Sequence, residues 1–350
     1  MTASSSQSTR ILIVKLSSLG DLFHALPTVH DLRVGFDASV DWVVQEEYVD
    51  VVGCFNDVER VIPFSRRAFL SNLPAFYNDL RLGEYDLVID LQGLLKSAGV
   101  TALARGRRKI GPSFNRECSR LCYQEIAGER DLSRHAVDQN RDVLRHLKQR
   151  ISAPVFPVSF PKTSNIGEGV QVAMLPKSRW PSKNWPPASF VDLARLLLKE
   201  AKMTITLLGG PADISCCQEI EQAVGSSRVF NLAGKESLPA LGSRLEATDL
   251  LISNDSGPVH MAVAVGTPTL VLFGPTDPER TGPFGQGHRV IQAPPPCCPC
   301  YLRNCTRHGA PCMNTIEVST VADAAFDMLA LLQDAGRMAV LRGIFPESEG

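Results

Sequence analysis

Short apolar runs alternate with segments of helical periodicity along most of this chain. Four runs of β type lie in the first half, at 11–15, 40–44, 59–64 and 85–91. Five more lie in the second half, at 170–175, 203–210, 228–234, 249–255 and 267–274. Runs of this kind, separated by helices, are typical of a parallel sheet that is covered on both faces. The pattern therefore predicts an α/β protein with two doubly wound, Rossmann-like domains.

A segment without helical periodicity separates the two rounds of this pattern. Residues 152–169 are rich in Pro, Ser and Gly, and we place a linker in their second part. The predicted organisation is a disordered N-terminus, an N-terminal domain, the linker, a C-terminal domain, a helix and a tail, at 1–10, 11–155, 156–169, 170–317, 318–336 and 337–350. Ligands of such sheets bind at the carboxyl ends of the strands, so we expect the chemistry in loops that face a cleft between the domains.

Composition and charge exclude several classes of protein. The 350 residues are 44% hydrophobic, which is enough for two cores of ordinary size. The formal net charge of −1 gives no indication of nucleic-acid binding. No apolar run reaches the ~18 residues that a transmembrane helix needs. Because the polar first ten residues also lack the apolar core of a signal peptide, we expect a soluble, cytoplasmic protein.

Three loops that follow predicted strands in the second half carry polar chemistry. The loop 175–187 contains three basic residues, two serines, two tryptophans and four prolines, and its Ser178 and Lys183 can hold phosphate oxygens. Gly209 would let a ligand approach the backbone closely. The free N–H groups of a helix that starts near Pro258 would suit a diphosphate. Because all three loops follow adjacent strand ends, one crevice would receive them.

The third of these loops holds the densest set of candidates, which are Asp255, Ser256, Gly257 and His260. Each feature also has an ordinary structural explanation. Asp255 or Ser256 would serve as a helix N-cap, and His260 would be a packed core histidine. The loop 175–187 would then be a rigid surface loop, and residue types alone leave both interpretations open.

The first predicted strand ends in the turn Ser17-Ser18-Leu19-Gly20-Asp21. This turn matches neither the G-x-G-x-x-G fingerprint of dinucleotide-binding proteins nor the Walker pattern. What remains is an acid, Asp21, at the start of a helix, where it is either a helix cap or the base of an enzyme. Gln92 and Lys96 lie at or just past another strand end, so we expect them at the same cleft.

Two further stretches have unusual composition. Residues 104–120 contain six basic residues and one acid, and they form either a solvated face or a site for a polyanionic acceptor. Residues 297–312 contain five cysteines and one histidine. Four thiolates could make a closed structural zinc site, and the candidates are Cys297, Cys300, Cys305 and Cys312. The alternative, which we favour, is a loop of reduced thiols without a metal.

Seven short motifs in a fixed order resemble those of a known family. They are KLSSLGD followed by ALP, DLQGLLKSA, FNRE, HAVDQNR, KNWP at 183–186, NDSGPVH, and VLFGPTDPERTGP. Together they resemble the bacterial heptosyltransferases of glycosyltransferase family 9, over most of residues 10–335. DLQGLLKSA, FNRE and HAVDQNR are most similar to the members that add the first heptose to Kdo on lipid A.

The resemblance implies a GT-B fold and metal-independent, inverting transfer of heptose from ADP-heptose, with no cofactor required. It implies that Asp21 is the general base and that the N-terminal domain binds an anionic glycolipid, Kdo-lipid A. The implied donor-binding residues are Ser178, Lys183, Gly209, Asp255, Ser256, Gly257 and His260. The expected acceptor-binding residues are Ser18, Gly20, Gln92, Lys96, Arg105, Arg107, Arg108 and Arg116. Because the acceptor lies at the inner membrane, we expect peripheral contact with that membrane.

Other functions remain open at this stage. The same scaffold could use another donor sugar or another acceptor, since phosphate-binding loops do not identify the base or the sugar. A non-catalytic nucleotide-sugar binding protein would share the same loops. A dehydrogenase is disfavoured, because neither half has a glycine fingerprint followed by an acid at the next strand end.

Overall fold

The computed structural model describes residues 8–66, 69–163, 166–307 and 311–334. The chain divides into two compact units, Met1–Ser159 and Phe160–Gly350. The boundary therefore falls inside the predicted linker, 156–169. Val158 forms an isolated β-bridge with Phe55 in the first unit, whereas Phe160 is buried over Gly242 in the second.

The first unit contains a sheet with a helix after most strands. Its strands are β1 Thr9–Val14, β2 Ala38–Gln45, β3 Arg60–Phe64, β4 Tyr85–Asp90, β5 Gly106–Pro112 and β6 Glu125–Ala127. Its α-helices are α1 Leu19–Phe36, α2 Val49–Val52, α3 Phe69–Leu80, α4 Leu95–Leu103, α5 Ala136–Asn140 and α6 Asp142–His146. Short 3₁₀ helices span Glu46–Tyr48 and Ser119–Cys122.

The second unit repeats this arrangement. Its strands are β7 Val170–Leu175, β8 Met203–Leu207, β9 Val229–Asn231, β10 Leu250–Asn254, β11 Thr269–Phe273 and β12 Arg289–Gln292. Its α-helices are α7 Pro187–Leu197, α8 Ile214–Val224, α9 Leu238–Glu246, α10 Gly257–Ala264, α11 Pro278–Thr281, α12 Pro311–Asn314 and α13 Val318–Asp334. Its 3₁₀ helices span Pro181–Lys183 and Pro211–Asp213.

The two sheets have the same topology. Over the described residues each sheet has six strands, in the orders β3-β2-β1-β4-β5-β6 and β12-β11-β10-β7-β8-β9, and the strand pairs are parallel. Counted from the first strand of its own unit, each order is 3-2-1-4-5-6, the doubly wound arrangement of Rossmann folds. The order reverses between β1 and β4 in the first sheet and between β7 and β10 in the second. Ligands of such sheets bind at these switch points.

Burial follows from this topology. The central strands are covered by helices on both faces, so they are apolar at successive positions, and Ile11, Leu12, Ile13 and Val14 are all fully buried. In the second unit the core also includes Val321, Ala325 and Leu329 of α13, the predicted C-terminal helix. The predicted α/β class with two Rossmann-like domains is confirmed.

Several predicted boundaries differ from the structure. Residues 1–10 are not all outside the fold, because β1 begins at Thr9, while residues 1–7 are outside the described residues. The basic stretch 104–120 contains a strand, β5, whose charged first half concealed the β pattern. The strands β6 and β12 were also missed. The predicted tail, 337–350, lies outside the described residues.

Candidate active site

The switch point of the first sheet lies beside Asp21. This residue is in the first turn of α1, and its Oδ2 accepts hydrogen bonds from the Ser18 backbone N–H at 2.8 Å and from Ser18 Oγ at 2.7 Å. The carboxylate therefore caps the helix, as one of the two sequence interpretations holds. The Asp21 residue is nevertheless half-buried rather than enclosed, so capping leaves it accessible for a second role.

Gln92 ties the loop after β4 to the loop after β1. Its Oε1 accepts hydrogen bonds from the backbone N–H groups of Leu16 and Ser17, each at 3.0 Å. Asp90 in turn holds the Gln92 loop, because its Oδ1 accepts from the Gln92 N–H at 2.7 Å and the Gly93 N–H at 2.9 Å. Gln92 was expected to bind the acceptor. Its amide oxygen instead holds the turn that carries Asp21.

Two buried charges behind this turn were missed by the sequence analysis. Lys15 is 5% exposed and donates from Nζ to the Leu91 carbonyl at 2.5 Å, and Asp90 is 0% exposed. Burial lowers the pKa of Lys15, and the nearby charges of Asp21 and Asp90 oppose that shift. Burial also raises the pKa of Asp90, whose Oδ2 accepts from the Tyr123 hydroxyl at 2.8 Å. The signal in the sequence was a charged residue at the end of each of two apolar runs, Lys15 after β1 and Asp90 at the end of β4.

Lys96 and Arg116 lie at the same edge of the sheet as Asp21. Lys96 is half-buried in the first turn of α4, where burial and the neighbouring Arg66 lower its pKa. Arg116 follows β5, and its backbone N–H donates to the Gly93 carbonyl at 2.8 Å. Arg66, at the end of β3, was not singled out in the sequence. The edge therefore carries basic side chains after three different strands.

Three predicted acceptor residues lie elsewhere. Arg105 precedes β5, Arg107 and Arg108 begin it, and Arg108 is level with Leu87, three residues before β4 ends at Asp90. These arginines are therefore at the amino half of a parallel sheet, whereas Asp21 follows the carboxyl end. Their contact with the reacting part of an acceptor is not supported, and a role with a more distant part of it stays a prediction.

Two of these arginines already have acidic partners. Arg107 pairs with Asp86 at 3.2 Å. Arg108 binds both oxygens of Glu125, at 2.8 and 2.7 Å, and this pairing holds the pKa of Glu125 at about 2. Arg108 is thus committed to a surface ion pair.

The switch point of the second sheet is built around an ion pair. Lys183 Nζ lies 2.5 Å from Asp255 Oδ2, and both side chains are largely buried. The same carboxylate oxygen accepts from Thr276 Oγ1 at 2.6 Å. Asn254 fixes the two loops, since its side-chain amide N–H donates to the Pro176 carbonyl at 2.8 Å and its Oδ1 accepts from the Trp185 backbone N–H at 3.1 Å. The loop after β7 and the loop after β10 are therefore held together at their strand ends.

The helix that follows Asp255 begins as predicted. The strand β10 ends at Asn254, Ser256 is the N-cap of α10, and Gly257 is its first residue. The Ser256 side chain makes no capping hydrogen bond to α10 within the described part of the chain. Its hydroxyl lies 3.3 Å from Ser253 Oγ instead. The first-turn N–H groups are the type of donor that binds phosphate, and His260 in the same helix is buried.

Ser178 and Gly209 have structural roles in this unit. The Ser178 N–H donates to Asn184 Oδ1 at 2.8 Å, and its hydroxyl donates to the Trp180 carbonyl at 3.1 Å. A Cβ added to Gly209 would lie 2.8 Å from the Asp213 Cβ. The close approach expected of a ligand at Gly209 is thus occupied by Asp213, and donor binding by either residue stays a prediction.

Among the residues that the structure describes, the four candidate zinc ligands of the cysteine-rich loop do not form a metal-binding cluster. All ten cysteines are free, and Cys312 hydrogen-bonds to Cys298, which was not in the predicted set. Burial raises the pKa of Cys298 to about 12, so its thiol is protonated at neutral pH. The described residues contain no group of three or more His, Cys, Asp or Glu that could hold a metal ion. His308 lies outside the described residues.

Comparison with known proteins identifies the family. The profile of glycosyltransferase family 9 (heptosyltransferase) matches residues 74–310, more than half of the chain. The chain belongs to this family. Over 325 residues it is 29% identical to lipopolysaccharide heptosyltransferase 1 of Pseudomonas aeruginosa, and the alignment covers 85% of this chain and 87% of that protein.

Solved structures of this glycosyltransferase family have the same fold. The E. coli heptosyltransferase WaaC with ADP superimposes with a TM-score of 0.77 at 27% identity, and covers 91% of this chain and 100% of that one. WaaC with ADP-2-deoxy-2-fluoro heptose gives a TM-score of 0.75 at 26% identity, over 91% and 99% of the two chains. The predicted GT-B class and the predicted enzyme class, a glycosyltransferase, are thereby confirmed. No helix among the described residues is long and apolar enough to cross a membrane.

Proposed function

We propose that this glycosyltransferase moves L-glycero-D-manno-heptose from ADP-heptose to the Kdo of a Kdo-lipid A acceptor, in the assembly of the lipopolysaccharide inner core. The relatives named above support the donor and the pathway. The observation that carries the proposal is Asp21, which is held by Ser18 at the switch point of the first sheet and remains half-exposed there.

In this proposal Asp21 is the general base. The acceptor hydroxyl attacks the anomeric carbon of heptose from the face opposite ADP, a C–O bond forms, and the bond from that carbon to the phosphate oxygen breaks. Asp21 takes the proton of the hydroxyl, so the anomeric configuration is inverted. Both hydrogen bonds from Ser18 are accepted by Oδ2 of Asp21, and they fix the carboxylate. Oδ1 takes no part in these two bonds.

The departing ADP needs positive charge, because negative charge develops on its terminal phosphate. Lys183 and the N–H groups at the start of α10 provide it in this proposal, without a metal ion. Asp255 holds Lys183 in place. Lys96 and Arg116 are on the acceptor side, where the carboxylates and phosphates of Kdo-lipid A require cations.

The first test is transfer from ADP-heptose to Kdo₂-lipid A in EDTA, with wild type and Asp21→Asn side by side. We expect transfer by wild type and a loss of ~10²-fold or more in Asp21→Asn, since the amide cannot accept the proton. ADP should bind both proteins with equal affinity. Asp21→Asn activity within threefold of wild type would show that Asp21 is not the base.

Two other results would redirect the proposal. A wild type that binds ADP-heptose and transfers nothing to Kdo₂-lipid A would mean that the acceptor is wrong, or that the protein only binds the nucleotide sugar. A wild type that does not bind ADP-heptose would overturn the donor assignment.

We also propose that the first unit makes peripheral contact with the inner membrane. Leu121, in the 3₁₀ helix Ser119–Cys122, is 87% exposed, and Arg116 and Arg120 beside it are exposed as well. An apolar side chain flanked by cations suits an anionic lipid surface. Leu121→Asp should reduce cosedimentation with phosphatidylglycerol vesicles about fivefold. Leu331→Asp, at an exposed leucine of α13 in the other unit, is the control and should bind as wild type does.

A further inference from the structure

The cysteine-rich loop contacts both loops that meet at the second switch point. The Leu302 carbonyl accepts from Ser182 Oγ at 2.5 Å, and the Arg303 carbonyl accepts from the Ser182 N–H at 3.2 Å. Ser182 immediately precedes Lys183. Residues 300–303 therefore support the loop that carries the donor-side lysine.

The same segment also contacts the support of Asp255. The backbone N–H groups of Cys300 and Tyr301 donate to the Pro275 carbonyl at 3.0 and 2.9 Å. Pro275 precedes Thr276, whose hydroxyl binds the Asp255 carboxylate. Residues 300–303 are thus anchored at the two loops whose side chains form the Lys183–Asp255 pair.

Two cations share one aromatic ring at this position. Lys183 Nζ lies 4.8 Å from the centroid of the Trp180 ring, and Arg303 Cζ lies 5.7 Å from the same centroid. Both distances are in the range of cation–π contacts. Trp180 is half-buried and Arg303 is exposed, so the guanidinium and the Lys183 ammonium both contact one ring while the guanidinium stays open to solvent.

The charge of the pair explains why a second cation is useful. Lys183 is matched by Asp255, so the pair has no net charge, whereas the diphosphate of a nucleotide sugar carries about two negative charges at neutral pH. Arg303 makes no ion pair with any residue that the structure describes, and residues 297–307 contain no acid. A guanidinium also presents a planar set of donors that matches two phosphate oxygens.

We propose that Arg303 is a donor-binding residue whose guanidinium binds the diphosphate of the nucleotide sugar, and that residues 300–303 hold it at the Trp180 ring that Lys183 also contacts. This inference rests on the proposed function only in that the donor is a nucleoside diphosphate sugar. It assigns the cysteine-rich loop a role in donor binding that needs no metal and no disulfide. The thiols of Cys298 and Cys312 then serve to pack the base of the loop against the core of the second unit.

The test is calorimetric binding of ADP to full-length wild type, Arg303→Met, Arg303→Lys and Arg307→Met. Methionine keeps the apolar stem of the side chain and removes the charge. We expect the ADP dissociation constant to rise about tenfold in Arg303→Met, with partial recovery in Arg303→Lys. Arg307 is an exposed arginine of the same loop, so Arg307→Met should stay within twofold of wild type.

A second readout separates lost charge from a displaced loop. The emission of Trp180 in the absence of ADP, measured in a background that carries both Trp42→Phe and Trp185→Phe, should be nearly the same with Arg303→Lys and with Arg303. An Arg303→Met protein that binds ADP within twofold of wild type would overturn the inference. An equal loss in Arg303→Met and Arg303→Lys, with altered Trp180 emission in both, would also overturn it, because loop placement and not charge would then be the cause. If wild type itself fails to bind ADP, the assignment of an ADP-sugar as the donor is wrong.

Discussion

The switch points of the two sheets have the same strand order and opposite chemistry. Between β1 and β4, the half-exposed group is a carboxylate, Asp21, and the cation near it, Lys15, is buried. Between β7 and β10, the cation Lys183 and the carboxylate Asp255 are in direct contact, and further cations lie on the loop around them. The first site is therefore suited to accept a proton and the second to bind an anion.

The way each loop is held explains the difference. At the first switch point side-chain oxygens accept from backbone N–H groups: Gln92 binds the turn after β1, and Asp90 binds the Gln92 loop. These bonds consume N–H donors. At the second switch point the Ser256 side chain makes no capping hydrogen bond to α10 within the described residues, Pro258 has no N–H group, and the Val259 N–H donates to the Ser256 carbonyl. One topology thus presents a half-exposed carboxylate in one unit and a lysine beside a helix N-terminus in the other.

The largest change in this comparison is expected from Lys183→Met. This substitution removes the cation of the second switch point and leaves the buried Asp255 without its partner. We expect the ADP dissociation constant to rise ~10²-fold, a difference of about 2.8 kcal/mol at 1.4 kcal/mol per tenfold. Calorimetry with ADP is the measurement.

Lys177→Met is the matched control for that prediction. Lys177 is a half-buried lysine of the same loop and makes no ion pair among the residues that the structure describes. It should bind ADP within threefold of wild type. Equal losses in the two variants would show that the loop needs positive charge in general, and that the Lys183–Asp255 pair has no special part in donor binding.

A smaller change is expected at the first switch point, from Gln92→Leu. The leucine cannot accept from the Leu16 and Ser17 N–H groups, so stability should fall by about 2 kcal/mol in urea unfolding. Transfer should fall about tenfold, because the turn that presents Asp21 loses its support. ADP affinity should not change, since the second unit is untouched.

Gln92→Glu is the companion variant. A carboxylate oxygen can accept both N–H groups, so its unfolding midpoint should lie close to that of wild type. If Gln92→Leu were as stable and as active as wild type, the idea that Gln92 positions the Asp21 turn would be wrong.

Much of the fold could be predicted from the sequence, because buried parallel strands are nearly continuous apolar runs. The strands that were missed, β5, β6 and β12, do not fit that rule. The first half of β5 is Gly-Arg-Arg-Lys, and its Arg107 and Arg108 side chains are exposed to solvent. Its apolar second half is too short to be distinguished from a loop.

The candidate site likewise contains residues that could be predicted from the sequence and one that could not. Asp21, Lys183 and Asp255 could be predicted, because each is a polar residue at the end of an apolar run, where the topology requires a loop. Motif resemblance then implied a role for each of them, and those roles stay predictions. Arg303 could not be found in this way, since it belongs to no strand end and its position depends on the contact with Trp180.

The sequence by itself determined two doubly wound units and the residues that follow their strand ends, because alternation of apolar runs and helices allows few other arrangements. Only the tertiary structure decided which of those residues meet. Pairing of β5 with β4 placed Arg108 at the amino half of the sheet, and pairing of β7 with β10 brought Lys183 to Asp255 across 72 positions of sequence. Strand register and side-chain packing are long-range properties, and no local pattern of residues encodes them.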